Sequence, residues 1–256
     1  HLGEEKNIRA KLIIGADGVD SRIGRWAGLK TTVKLKDMES CMQYSVSNID
    51  VRRNNMTMFV GQNYAPGGYI WIFPKGDNFA NIGLGISGKY SKDKSAKKYL
   101  DEFMYREFPD ASIHTSMCGG CPVAYPIKKP VADNIIIVGD AAHHINPVTG
   151  GGITPAMKSG MLGGLIAADA VKKNDVSEKF LNKYVKAIDK DFTKRHKTLY
   201  KIKEAISKLS DDDINGIAKK IDSIPIDKRS LQKVFMSSMI KKPSLVIDVL
   251  RVFTGI

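Results

Sequence analysis

Residues 139–153 read Gly-Asp-Ala-Ala-His-His-Ile-Asn-Pro-Val-Thr-Gly-Gly-Gly-Ile and follow an apolar run at 134–138. A strand ending on Gly139 and Asp140 puts a carboxylate at the carboxyl edge of a parallel sheet, where open α/β sheets bind their ligands. Such a carboxylate accepts hydrogen bonds from ligand hydroxyls. Pro147 fixes the approach of the chain, and Gly150, Gly151 and Gly152 strip it of side chains so that backbone can come close to a flat ligand. A helix starting at Ile153 then offers free N–H groups and a positive dipole end. The pattern suits a molecule with hydroxyls at one end and a partly anionic ring at the other, and reduced flavin has that description. Its ribityl chain would meet Asp140 and its N1/O2 edge the helix start. The plainer readings are a glycine-rich loop and a strand-end aspartate that caps a helix.

A second group is aromatic. Tyr69, Trp71 and Phe73 alternate along one apolar run, which puts all three on one face of a strand. Pro74 and the residues to 78 have the chemistry of a hairpin turn, and Gly83 and Gly85 lie in the returning strand. Aromatic faces attract developing positive charge. The plainer reading is a packed aromatic stripe of the core.

Other reactive side chains carry less. His143 and His144 are adjacent and lack a third ligand at metal spacing, so no metal site is expected. Cys118 and Cys121 form a single CxxC, open to a transient disulfide or to plain passage of the chain, and Cys41 is distant in sequence. Residues 194–197, Lys-Arg-His-Lys, form a basic helix face that holds a lipid phosphate or is simply solvated, and 245–253 is an apolar stretch that touches a bilayer or packs on the sheet.

The elements that must position these groups follow from periodicity. Residues 11–15 and 134–138 read as short buried strands of a parallel sheet. Segments near 41–47, 56–60, 68–73 and 80–86 are strand-like, 112–124 returns to the sheet, and 92–108 and 153–171 read as helices. Ser177 caps a further amphipathic helix. The fold class is mixed α/β. Residues 1–30 and 128–175 are expected to form one α/β group, 31–127 a β-rich group, and 176–256 a helical region.

Composition narrows the setting. The chain has 256 residues and a formal charge of +13, with basic residues scattered and no nucleic-acid module among them. The charge suits a lysine-rich solvated surface or attraction to anionic lipid, and no nucleic-acid partner is expected. No run of about eighteen apolar residues occurs, and three cysteines make no disulfide framework. A cytoplasmic location, peripheral to a membrane, fits these features.

The residues also carry a family resemblance. Gly139-Asp140-Ala-Ala followed by Pro147-Val-Thr-Gly-Gly-Gly-Ile153 resembles the second flavin-binding motif of the hydroxybenzoate-hydroxylase-like flavoproteins, and the stretch from Ala16 through Asp17 and Gly18 to Arg22 resembles their Asp-Gly motif. Tyr69-x-Trp71-x-Phe73-Pro74, eight residues, then Gly83-x-Gly85 resembles the signature of the geranylgeranyl reductase family. The resemblance implies a Rossmann-like FAD-binding domain in part, an antiparallel sheet that binds substrate, and a helical carboxyl-terminal region. It implies FAD held by Asp17, Gly18, Gly139, Asp140, Pro147, Gly150, Gly151, Gly152 and Ile153, with Arg22 or Arg25 near a phosphate. It implies a polyprenyl lipid bound by Tyr69, Trp71, Phe73, Pro74, Gly83 and Gly85, and reduction of its isolated double bonds in archaeal membrane-lipid synthesis, with ferredoxin or NAD(P)H as electron donor. Tyr69 and a bound water are both open as proton donor.

The family's strand–GxGxxG–helix unit has no counterpart here. The expectation is a carboxyl-terminal part of a longer protein, short by on the order of 140 residues. A flavin monooxygenase or halogenase and a non-enzymatic lipid-binding fragment are the alternative functions.

Overall fold

The computed structural model describes residue 5 and residues 7–228. In chain order its elements are β1 (Ile13–Gly15), α1 (Arg22–Trp26), β2 (Met38–Ser47), β3 (Thr57–Val60), β4 (Tyr69–Pro74), β5 (Phe79–Ser87), α2 (Ala96–Glu107), β6 (Ser112–Pro122), β7 (Val131–Ala132), β8 (Ile135–Ile137), α3 (Ile153–Lys172), α4 (Glu178–Ile188), α5 (Lys194–Ile206) and α6 (Asp211–Asp222). The chain divides into two compact units. Among the described residues, those up to 32 with 125–197 make the first, and 33–124 with 198–228 make the second.

In the first unit β1 and β8 pair in parallel, Ile13 opposite Ile135 and Gly15 opposite Ile137, and β7 adds an antiparallel edge. The expected buried character of residues 11–15 holds at Gly15 but not at Ile13 and Ile14, which are 46% and 38% exposed; among the described residues β1 pairs on one side, with β8. The core lies instead on β8 and its helices, where Ile136, Val138, Ala167, Ala170, Leu181 and Tyr184 are buried together. The small residues of α3 make that packing close. A β-carbon at Gly163 would stand 3.0 Å from Val138 Cγ1, whereas Gly160 and Gly164 on the same helix face nothing within 4 Å. Tyr184 finishes the layer by donating its hydroxyl to the Ile137 carbonyl at 3.2 Å, which satisfies a polar group that burial would otherwise penalise.

The second unit is a five-stranded antiparallel sheet in the order β3-β4-β5-β2-β6. The β4–β5 turn expected at 74–78 is present, with Lys75 N–H donating to the Phe79 carbonyl at 2.7 Å. Helix α2 packs on one face of this sheet. Ser95 caps it by accepting from Lys98 N–H, and Ala96, Leu100, Phe103 and Met104 recur at helical spacing and are buried. They meet Met42, Tyr44, Val46, Ile70, Ile72, Ile82, Leu84 and Ile86, one face of three adjacent strands. Because side chains alternate across a strand, the residues between these must occupy the opposite face.

Candidate functional site

The candidate residues fall into two groups, each whole within one unit. The first group is built around the end of β8 and the start of α3. The chain leaves β8 into a 3-10 turn, Gly139–Ala142, that brings Asp140 forward. Gly139 has φ +62, and its N–H donates to Ser159 Oγ at 3.0 Å. A β-carbon at 139 would approach Ala156 Cβ to 3.3 Å, so Gly139 serves close packing of the turn on α3.

Asn146 organises the loop that follows. Its Oδ1 accepts from Val148 N–H at 2.9 Å and from Thr149 N–H at 3.3 Å, an Asx turn that fixes the conformation after Pro147. Its backbone closes the loop, accepting from Gly150 N–H at 2.9 Å and donating to the Gly151 carbonyl at 3.0 Å. Gly150 has φ +67, a conformation that glycine adopts without strain. The sequence reading passed over Asn146 and Ser159; the Asn-Pro dipeptide was the available signal for the first.

Helix α3 opens without a capping side chain. Its N-cap is Gly152, and no acidic residue lies in its first turn. By contrast α2, α4 and α6 are capped by Ser95, Ser177 and Ser210. The first N–H groups of α3 are thus left to an acceptor from elsewhere, and Ile153 is 79% exposed there. Asp140 stands beside this start: its Oδ1 lies 3.0 Å from where a β-carbon at Gly152 would be. Burial raises its carboxyl above the ordinary value, and the neighbouring His143 partly opposes that.

His143 is buried, and its two ring nitrogens stand 3.1 Å from carbonyl oxygens, Nδ1 from Tyr125 and Nε2 from Thr31. His144 is buried against Phe192 and Tyr184 with neither ring nitrogen hydrogen-bonded. Desolvation, then the charges of His196 and His143, lower its pKa to about 3. The two histidines therefore sit in different environments. Among the described residues, no group of three or more His, Cys, Asp or Glu side chains could hold a metal ion.

At the Asp-Gly stretch, Asp17 Oδ2 accepts from Ile23 N–H at 2.9 Å in the first turn of α1. Its carboxylate thus satisfies a backbone N–H at the start of this helix. Gly18 has φ +77, which favours glycine. Arg25 donates to the Asp20 carbonyl, and Arg22 is exposed.

The second group lies on the five-stranded sheet. Tyr69, Trp71 and Phe73 do share one face, and it is the face away from α2: Ile70 and Ile72 are buried in the core and the aromatics are half-buried. They are not a core stripe. Trp71 and Phe73 stack at 6.0 Å between ring centroids, and Tyr69 meets Trp71 edge-on at 5.9 Å. Trp71 Nε1 donates to Gln43 Oε1 at 3.0 Å, which sets the orientation of the indole.

The two motif glycines each make room for a side chain. Gly83 pairs with Trp71, and its missing β-carbon would lie 2.6 Å from Trp71 Cζ2. Gly85 pairs with Tyr69, and its missing β-carbon would lie 3.3 Å from Cys41 Sγ. Register thus lays out rows across one face: Gln43, Gly83, Trp71 and Met58, then Cys41, Gly85, Tyr69 and Val60. Met58 and Val60 are 53% and 52% exposed, so the face is apolar and open among the described residues. Pro74 ends β4 and, by alternation, falls on the side of Ile70 and Ile72 rather than with the aromatics.

Glu39 joins the group through β2, a placement that local sequence did not show. It is mostly buried, its Oε2 has no hydrogen-bond partner, and desolvation raises its pKa to about 8 against the lowering influence of Lys203 and Lys89. Burial and the Glu39 charge push the Cys41 thiol up to about 12. Burial likewise raises Tyr69 above its ordinary value, helped by Cys121, Cys41 and Glu39.

Cys121 shares this neighbourhood, paired with Glu39, whereas Cys118 pairs with Met42. Three residues apart on a regular strand, Cys118 and Cys121 point to opposite faces, and no disulfide forms among the described residues. An internal 118–121 disulfide does not fit β6. Residues 195–197 lie on α5, where Arg195 and Lys197 are exposed and His196 is buried against Phe192. The stretch at 245–253 lies outside the described residues.

Residues 37–121 match the geranylgeranyl reductase catalytic domain. Over 231 residues the chain is 42% identical to digeranylgeranylglycerophospholipid reductase 1 of Methanococcoides burtonii, covering 90% of this chain and 57% of that protein. A digeranylgeranylglycerophospholipid reductase of Methanocella arvoryzae is 38% identical, with 95% of this chain and 62% of that protein covered. The crystal structure of a geranylgeranyl bacteriochlorophyll reductase-like protein from Thermoplasma acidophilum superimposes with a TM-score of 0.86 at 33% identity, over 95% of this chain and 62% of that one. The chain therefore spans about three fifths of the length of these relatives.

Proposed function

We propose that this chain, whose residues 37–121 belong to the geranylgeranyl reductase family, is part of an FAD-dependent enzyme that saturates isolated double bonds in the geranylgeranyl chains of lipid precursors. The observation that carries this reading is the open face of the five-stranded sheet, where Tyr69, Trp71 and Phe73 lie beside the side-chain-free strip of Gly83 and Gly85 and opposite the packed core. A flexible apolar chain gains roughly 25 cal/mol for each Å² it buries on such a surface.

The first unit fits a flavin. Asp140 and the uncapped start of α3 offer an acceptor for ribityl hydroxyls and donors for an anionic ring edge, side by side. Asp140, Pro147, Gly150, Gly151, Gly152 and Ile153 would hold the cofactor, with Gly139 shaping the turn beneath it. Asp17 and Gly18 would support the same side through α1. FAD, when bound, supplies a hydride to one alkene carbon.

The residues of this chain account for the rest of the reaction. An isolated alkene is electron-rich, so positive charge develops on carbon as it takes up a proton. The indole of Trp71, held by Gln43, and the rings of Tyr69 and Phe73 present π faces that stabilise such charge, by about 2 kcal/mol or more when water is excluded. The apolar neighbours Met58 and Val60 keep water from the chain beside them.

Electrons are expected from ferredoxin or NAD(P)H, and the charge of +13 favours work at an anionic membrane surface, where the lipid resides. Among the described residues no helix is long and apolar enough to cross a membrane. The test is to load the whole enzyme that carries this chain with FAD, reduce it with dithionite without oxygen, and add digeranylgeranylglyceryl phospholipid. Product gaining one H₂ per reduced bond supports the reading. Oxygen-dependent hydroxylation or halogenation of an aromatic, with no change in the lipid, would replace it.

A further inference from the structure

We propose that Glu39 is the general acid of this reduction, giving its carboxyl proton to one carbon of an alkene lying over Tyr69 and Trp71. The assignment rests on the functional reading above and on geometry independent of it. Glu39 stands on β2 opposite Cys121 of β6 and Ser87 of β5, on the face that carries the aromatic row. Its carboxyl sits in a notch that two glycines keep open: a β-carbon would lie 3.2 Å from Oε2 at Gly68 and 3.9 Å at Gly85. A β-carbon at Gly68 would also stand 2.1 Å from the Gly85 carbonyl oxygen, so the notch tolerates no side chain there.

No hydrogen-bond donor meets Oε2, which is buried. A carboxylate oxygen that is buried without a donor disfavours the charged form, and desolvation outweighs the nearby lysines, so the group keeps its proton at neutral pH. The cations facing it do not change this. Lys203, on α5, is engaged by Asp37 Oδ1 at 2.8 Å and the Val123 carbonyl at 3.0 Å, and Lys89 acts on Glu39 only through its charge. Among the described residues its charge also acts on Cys41 and Tyr69, and Cys121 pairs with it across the strands.

Magnitudes choose among the proton donors. An efficient acid has a pKa near the working pH. The Cys41 thiol at about 12 and the Tyr69 phenol, raised above 10.0, hold their protons too tightly. Glu39, at about 8, is protonated at neutral pH and still a far stronger acid than either. The step balances. The alkene π pair takes the Glu39 proton to form one C–H bond, and Glu39 is left as carboxylate. Reduced flavin, when bound, would supply the hydride for the second C–H bond and be oxidised by two electrons. Glu39 regains its proton from water.

The test compares wild type, Glu39→Gln and Glu39→Asp in the whole enzyme that carries this chain, each loaded with FAD and reduced. Glu39→Gln is expected to keep its flavin spectrum and lose about 100-fold or more in the rate of lipid reduction. Glu39→Asp is expected to retain part of the rate, and the wild-type rate to fall above about pH 8. Independently of activity, infrared difference spectra of the protein should show a neutral-carboxyl band that titrates near pH 8 and is absent from Glu39→Gln. Lipid reduction by wild type and Glu39→Gln at rates within twofold, with the same pH profile, would overturn the assignment alone. No lipid reduction by wild type would overturn the functional reading and the assignment with it.

Discussion

Trp71 lies across Gly83 of the neighbouring strand, so close that a β-carbon at 83 would stand 2.6 Å from the indole Cζ2 and 2.7 Å from the Met42 carbonyl oxygen. The aromatic face depends on that missing atom.

Gly83→Ala is therefore expected to lift the indole from the sheet and break its bond to Gln43, at a cost of about 1–3 kcal/mol from overpacking. Urea unfolding would report the loss, and Trp71 emission, read in a Trp26→Phe background, should shift to longer wavelength. Unchanged emission would mean that the indole is not seated on Gly83.

The flavin contacts can be separated. Asp140→Ala is expected to abolish flavin retention through purification while leaving the far-ultraviolet circular dichroism intact. Asn146→Ala removes the acceptor for two backbone N–H groups and should weaken flavin binding and lower stability by about 1 kcal/mol. Full retention of flavin by Asp140→Ala would place the ribityl chain elsewhere.

Acid should destabilise the first unit through His144. Its pKa is lowered from 6.5 to about 3, so below 6.5 the unfolded chain binds a proton that the folded one refuses. The stability it contributes is complete above 6.5 and is lost as pH falls toward 3, on the order of a few kcal/mol. His144→Leu should flatten the slope of unfolding free energy across that window, measured by urea titration at several pH values. An unaltered slope would show that another group drives acid unfolding.

Glu39 acts with the opposite sign. Its pKa is raised from 4.5 to about 8, so its contribution is complete below 4.5 and is lost as pH rises through about 8. Glu39→Gln should make the protein relatively more stable than wild type at the alkaline end of this range. A constant difference from about pH 4.5 to 8 would mean that Glu39 ionises normally.

The cysteines should react in a fixed order with iodoacetamide at neutral pH. The thiolate is the nucleophile, so exposed Cys118 leads and Cys41, with its thiol pushed up to about 12, comes last. Peptide mass spectrometry after short labelling reads the order. A 118–121 disulfide formed in the folded protein would contradict the register of β6.

Much of this was legible in the sequence because it is local. The period-two alternation of Tyr69, Trp71 and Phe73 placed them on one face, the spacing of Leu100, Phe103 and Met104 made a helix, and Ser177 capped α4. Gly139, Asp140 and the glycines at 150–152 announced a turn into an uncapped helix. What alternation cannot say is which face is covered. Packing of α2 decided that, burying Ile70 and Ile72 and leaving the aromatics outward. Nor can local pattern carry strand register. Glu39, Gln43 and Cys41 reach the site because β2 pairs with β5 about forty residues on, and the same register separates Cys118 from Cys121. Even the motif glycines acquired their reasons in three dimensions, where Gly83 yields space to Trp71, Gly85 to Cys41, and Gly68 to the carboxyl of Glu39.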